Sequence, residues 1–178
     1  MLSDSKAGVT RRKMVAGGVL ALCGRMARPL LWAESRAQAM KQIPGAEANE
    51  ARTSLHQEIE FKVAPSRIYK VLLSAKEFAA FTGMPAAIDP SVGGAFSMFG
   101  GMIVGRNVEL VPEKRIVQAW RPASWEPGVY SVVRFELKAK GPGTVVVLDH
   151  TGFPKGDYDH LFSGWGERYW DPLHKYLA

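Results

Sequence analysis

Between Gly93 and Phe153 the chain carries five successive segments with the composition and alternation of β-strands, and this run constrains the fold more than any other feature. GGAFSMF and MIVGRNVELV are parted by Gly100–Gly101, a two-residue hairpin signal, and RIVQAWR follows a turn at Pro112–Lys114. In GVYSVVRFELKA, Tyr130, Val132, Arg134 and Glu136 fall on one face, and Val129, Ser131, Val133, Phe135 and Leu137 on the other. Gly141–Gly143 then turns the chain into TVVVLDHTGF. Strands joined by breaks this short pair antiparallel, because a parallel neighbour needs a crossover of roughly a dozen residues or more.

The flanks of this run are of mixed type. SLHQEIEFKV alternates, with Leu55, Gln57, Ile59, Phe61 and Val63 on one face and His56, Glu58, Glu60 and Lys62 on the other, which marks a half-buried strand. Pro65 suits a first helical turn, and Ile68, Val71 and Leu72 follow at helical spacing. AKEFAAFTG predicts a second short helix, with Phe78 and Phe81 on one side and Gly83 as its stop. At the end of the chain Leu161 or Phe162, Trp165, Tyr169, Leu173 and Tyr176 recur every three or four residues, the face of a long helix that Pro172 kinks or restarts. The order is strand, two short helices, about five antiparallel strands, one C-terminal helix. This is an α+β arrangement, with helices on one face of a curved antiparallel sheet.

At 178 residues, with 47% hydrophobic and 22% charged side chains, the chain has the length and composition of one globular domain. Its formal charge of +6 is concentrated at one end: residues 1–39 carry seven Lys/Arg and two acids, leaving +1 for residues 40–178. The domain therefore has no basic stripe for a nucleic-acid backbone. TRRKMVAGGVLALCG, Thr10–Gly24, places Arg11–Arg12 before a short apolar run and resembles a bacterial twin-arginine export signal. Arg25 and Arg28 close that run well short of the ~20 apolar residues of a membrane span. Ala37–Ala39 offers a small-x-small cleavage site, so residues 1–39 are expected to be a signal read by the export machinery, with a periplasmic or otherwise exported product. A basic tail or uncleaved anchor, and a cytoplasmic chain, is the alternative. Cys23 is the only cysteine and lies in the leader, so the mature chain would form no disulfide. Residues 40–52 read as a linker, and residues 53–178 as the folded domain.

The order of elements, with the stretch Gly93–Leu137, HTGFP at His150–Pro154 and GWGERYWDPL at Gly164–Leu173, resembles the SRPBCC (START-like, helix-grip) superfamily. Within it the similarity is closest to the C-terminal domain of activators of the heat-shock protein 90 ATPase. LVPEKRIVQAWR and the Gly-Trp near the C-terminus are its more specific parts, and it covers Thr53–Ala178. The resemblance implies a sheet gripping the C-terminal helix, with a pocket between them that in the superfamily often takes apolar molecules. Leu161, Trp165 and Tyr169 would face that pocket from the helix, and Phe96, Met98, Met102, Trp120 and Phe135 from the sheet. The same side chains could simply fill the core. Trp125, in RPASWEPG, would be a lid or a contact for a partner.

Catalytic or metal signatures are missing from the sequence: there is no HxH, HExxH, G-x-S-x-G, P-loop or GxGxxG, and no cofactor is implied. DYDH at Asp157–His160 could hold a cation, but acidic residues ahead of a helix more often cap it. Asp149 and His150 are adjacent on a strand and point to opposite faces, so they form no dyad. His150 could supply a polar group to the pocket, or serve as a hydrogen-bonded structural histidine. Three expectations follow: an exported protein binding a small apolar ligand, a cochaperone docking through the sheet and the loop near Trp125, and, more weakly, a pocket enzyme of cyclase or hydrolase type using His150 or Asp149.

Overall fold

A computed structural model describes residues 46–178. The twin-arginine segment, Cys23 and the cleavage site after Ala39 lie outside the described residues. A short helix, α1 (Ala46–Glu50), precedes β1 (Ser54–Phe61), α2 (Pro65–Leu73) and α3 (Ala75–Thr82). Then come β2 (Ala87–Ile88), β3 (Ala95–Met98), β4 (Ile103–Val111), β5 (Arg115–Pro122), β6 (Ser131–Lys140) and β7 (Gly143–Thr151). A C-terminal helical rod closes the fold: α4 (Tyr158–Gly164), a widened π-helical stretch (Trp165–Trp170) and α5 (Asp171–Leu177).

The seven strands form one antiparallel sheet in the order β1-β7-β6-β5-β4-β3-β2. β1 behaves as its alternation dictates: Leu55 and Phe61 are buried while His56, Glu58 and Glu60 face solvent. Pro65 opens α2 in its first turn. Ser74 Oγ accepts the Glu77 backbone N–H at the start of α3, and Gly83, at φ 69°, stops that helix in the left-handed conformation that glycine tolerates. Between Asn107 and Glu109 the β4–β5 register shifts, leaving Val108 as a bulge that bends the sheet.

Two local expectations are revised. The β3–β4 connection is not a two-residue turn: Met98 pairs with Ile103, and Phe99, Gly100 and Gly101 all take positive φ. The extra length lets the Phe99 ring drop into the core against Phe78, with ring centroids 5.2 Å apart. β2, too short to show a period, was not visible in the sequence.

The C-terminal rod shows how Pro172 is accommodated. Proline has no N–H to donate, and its ring crowds the carbonyl four residues back. Instead of breaking, the helix widens, so that the Asp171 N–H reaches the Gly166 carbonyl five residues away. The widened stretch buries Trp165, Tyr169 and Trp170 together. Phe162 stays exposed, and Leu161 takes the inward position. The core lies between the inner sheet face, α2, α3 and this rod.

Candidate functional site: an apolar cavity between sheet and C-terminal helix

A cavity of about 250 Å3 opens between the β3–β4 turn, the end of β5 and one face of the C-terminal rod. Its floor is aromatic. Trp120 from β5 and Trp165 from the rod stack at 4.8 Å, and Tyr169 lies 4.8 Å from Trp165. Phe99 and Ile103 close one side, and Leu161 the other. Met102, 41% exposed, and Trp125 flank the mouth. The rim is polar, with Ser124, Asp157, His160 and Arg168.

Of the residues expected at a pocket, Met102, Trp120, Leu161, Trp165 and Tyr169 do line the cavity, as does Trp125. Phe96, Met98 and Phe135 do not: all three are packed in the core. Phe96 meets Trp120 edge-on at 6.3 Å, and Phe135 supports Trp165 edge-on at 5.8 Å, so they back the wall rather than form it. Sequence reasoning missed Phe99, because its turn was read as two residues. It also missed the rim. Asp157, His160, Leu161, Gly164, Trp165 and Arg168 recur at the three- and four-residue spacing of a helix face, and that spacing was the available signal.

His150 is fully buried and does not reach the cavity. Trp165 Nε1–H donates to its Nδ1 at 3.1 Å, and an indole N–H can only donate, so Nδ1 carries no proton. Nε2–H therefore donates to Ser131 Oγ at 2.7 Å, and the Ser131 O–H in turn donates to the Trp120 carbonyl at 3.3 Å. Burial lowers the His150 pKa to about 3, so the ring is neutral at ordinary pH. With both nitrogens engaged and no path to the cavity, His150 positions Trp165. It does not work as an acid or base on a bound molecule.

Trp120 is fixed by a second buried chain. Its Nε1–H donates to Gln118 Oε1 (2.8 Å), the Gln118 amide donates to Asn107 Oδ1 (2.9 Å), and Asn107 donates to the Asp89 (2.8 Å) and Ser91 (3.2 Å) carbonyls. Both cavity tryptophans are thus locked in rotation by fully satisfied buried polar groups.

Asp149 faces the other way. On the outer sheet surface its carboxylate accepts hydrogen bonds from His56 and Arg134, each at 2.7 Å, across the flanking strands. Burial alone would push this carboxyl up; the hydrogen bonds from His56 and Arg134 outweigh it and hold it below the usual range. In the DYDH stretch, Asp157 occupies the helix N-cap without a side-chain capping bond, and Asp159 accepts from Asn49 of α1 at 2.9 Å. The acidic pair favours the helix N-terminus through its charge.

An antiparallel sheet wrapped against a C-terminal helix, with an apolar cavity between them, defines a helix-grip domain. The family model described as "Activator of Hsp90 ATPase homolog 1-like protein" matches residues 62–178, and the chain belongs to that family. It is 31% identical over 113 residues to the mouse activator of 90 kDa heat shock protein ATPase homolog 1, an alignment covering 64% of this chain and 33% of that protein. The Dictyostelium discoideum homologue is 36% identical over 107 residues, 60% of this chain and 28% of its own length. The chain thus spans about a third of the curated relatives it matches. Among solved structures, an HSP90 activator from Plasmodium falciparum superposes with a TM-score of 0.68 at 26% identity, covering 71% of this chain and 96% of that one.

Proposed function

We propose that this domain docks on a chaperone of the heat-shock protein 90 class and stimulates its ATPase. The observation that carries this reading is the alignment over most of the folded domain with proteins named for that activity. An exposed apolar pair gives it a surface. Tyr130 (48% exposed), in the loop just before β6, and Val132 (46% exposed), on the outer face of β6 beside Ala119 of the neighbouring strand, follow the Trp125 loop. Exposed apolar clusters of this kind mark protein contacts. The test is the ATPase rate of a purified chaperone of this class, titrated with the full chain. Saturable stimulation that Tyr130→Asp abolishes without changing Tm supports the reading. A flat titration removes it.

The cavity favours a second reading, that the protein holds a small apolar molecule. The leader bears on the choice, because a chain exported by the twin-arginine route would meet neither a cytosolic chaperone nor ATP. Cell fractionation with N-terminal sequencing, beside an Arg11→Lys, Arg12→Lys variant, separates the two. A periplasmic chain starting near Met40, lost from that fraction in the variant, leaves ligand binding; an intact cytoplasmic chain leaves chaperone docking.

A further inference from the structure

Gly164 sits inside the C-terminal rod with ordinary helical dihedrals, φ −60° and ψ −38°. A glycine there costs about 1 kcal/mol relative to alanine. Nothing in the backbone requires it, and an added Cβ would meet no atom within 4 Å. Its position gives the reason. It follows His160 by four residues and precedes Arg168 by four, so its missing side chain lies on the cavity face, and any side chain there would project over the mouth.

The rim is electrically polarised along this face. Asp157 and Arg168 are eleven residues apart, about 16 Å along a helix, with Gly164 between them. Neither belongs to an ion pair among the described residues. The floor beneath is aromatic, and the volume lies just under the roughly 300–1,000 Å3 of drug-sized sites.

We propose that the cavity is a binding site for a small aromatic acid: Gly164 keeps its mouth open, the ring system lies against Trp120 and Trp165, and the anionic end pairs with Arg168. This rests on the ligand-binding reading above and adds the chemical class and the residues that select it. A flat aromatic body matches the offset and edge-on surfaces these rings present. An anion at the Arg168 end forms a charge-assisted hydrogen bond, and at the Asp157 end it would meet a like charge.

The test uses two fluorescent probes of nearly the same body, 8-anilinonaphthalene-1-sulfonate and the uncharged N-phenyl-1-naphthylamine, titrated against the full chain. Wild type binds both, the sulfonate more tightly. Arg168→Gln weakens the sulfonate roughly five-fold, the range of a partly solvated charge pair, and leaves the neutral probe unchanged. Gly164→Leu loses both probes by at least ten-fold, with a Tm no lower than wild type. If both probes bind and Gly164→Leu blocks them, but Arg168→Gln leaves their ratio unchanged, the anionic class is overturned and an apolar site stands. If Gly164→Leu at unchanged Tm leaves both affinities intact, or neither probe binds wild type, the cavity is not a ligand site and both readings fall.

Discussion

Lowering the pH from 7 to 4.5 should cost this domain about 2.5 kcal/mol of stability through His150 alone. In the unfolded chain the imidazole takes up its proton near pH 6.5; in the folded chain burial delays that to about 3. Between these values the unfolded state binds more protons than the folded state, so stability rises with pH. His150's contribution is complete above about pH 6.5 and drains away as the pH falls toward 3. Each unit crossed is worth about 1.4 kcal/mol. The perturbation is His150→Gln, which cannot titrate, and the assay is thermal unfolding of both proteins at a series of pH values. Asp149, whose pKa is lowered, gives up its share only as the pH falls below about 3.8, so stopping at 4.5 leaves it almost entirely out. For a domain of this size the wild-type Tm should fall by roughly 8–10 °C across that window. The His150→Gln protein starts lower at pH 7, because its hydrogen bonds to Trp165 and Ser131 are disturbed, but loses far less on acidification. Parallel pH profiles in the two proteins would refute the reasoning, since the slope would then belong to other groups.

Three further outcomes follow from the buried polar chains and one turn. Trp165→Phe keeps most of the aromatic packing but removes the only donor to His150 Nδ1 among the described residues, and should cost about 1–3 kcal/mol in urea unfolding. Asn107→Ala orphans the Gln118 amide and the Asp89 carbonyl at a fully buried side chain, while the Ser91 carbonyl keeps the Gly94 N–H, and should cost about 1–3 kcal/mol, also read by urea unfolding; a neutral result would mean that water replaces the amide. Gly83→Ala forces a Cβ into the left-handed region at φ 69° and should lower stability by about 1 kcal/mol, measured by Tm, although nothing crowds the added atom.

The succession of elements along the chain and the closing helix were legible in the sequence because burial there follows a local period, whereas the placing of β1 beside β7 was not. Leu55 and Phe61 in β1, and Val133, Phe135 and Leu137 in β6, are buried on the face their spacing assigns. What the sequence concealed depends on long-range fit. Phe99 takes a positive φ and a longer turn because its ring has a place beside Phe78, which no window around residue 99 contains. Phe96, Met98 and Phe135 share the inner face with the cavity residues, and only the three-dimensional packing sets them behind its wall. The rim was half legible: Gly164 and Arg168 carry helical spacing, but nothing local says that the face they share is open. His150, adjacent in sequence to an aspartate, owes its character to Trp165 and Ser131, which lie 15 and 19 residues away.

The most direct test of the central claim is an ATPase titration: a purified heat-shock protein 90-class chaperone with increasing full chain, in parallel with Tyr130→Asp, Val132→Asp chain. The wild type should stimulate saturably and the doubly substituted chain not at all, with far-ultraviolet circular dichroism unchanged. An unstimulated chaperone at saturating wild-type chain, or equal stimulation by both proteins, would contradict it.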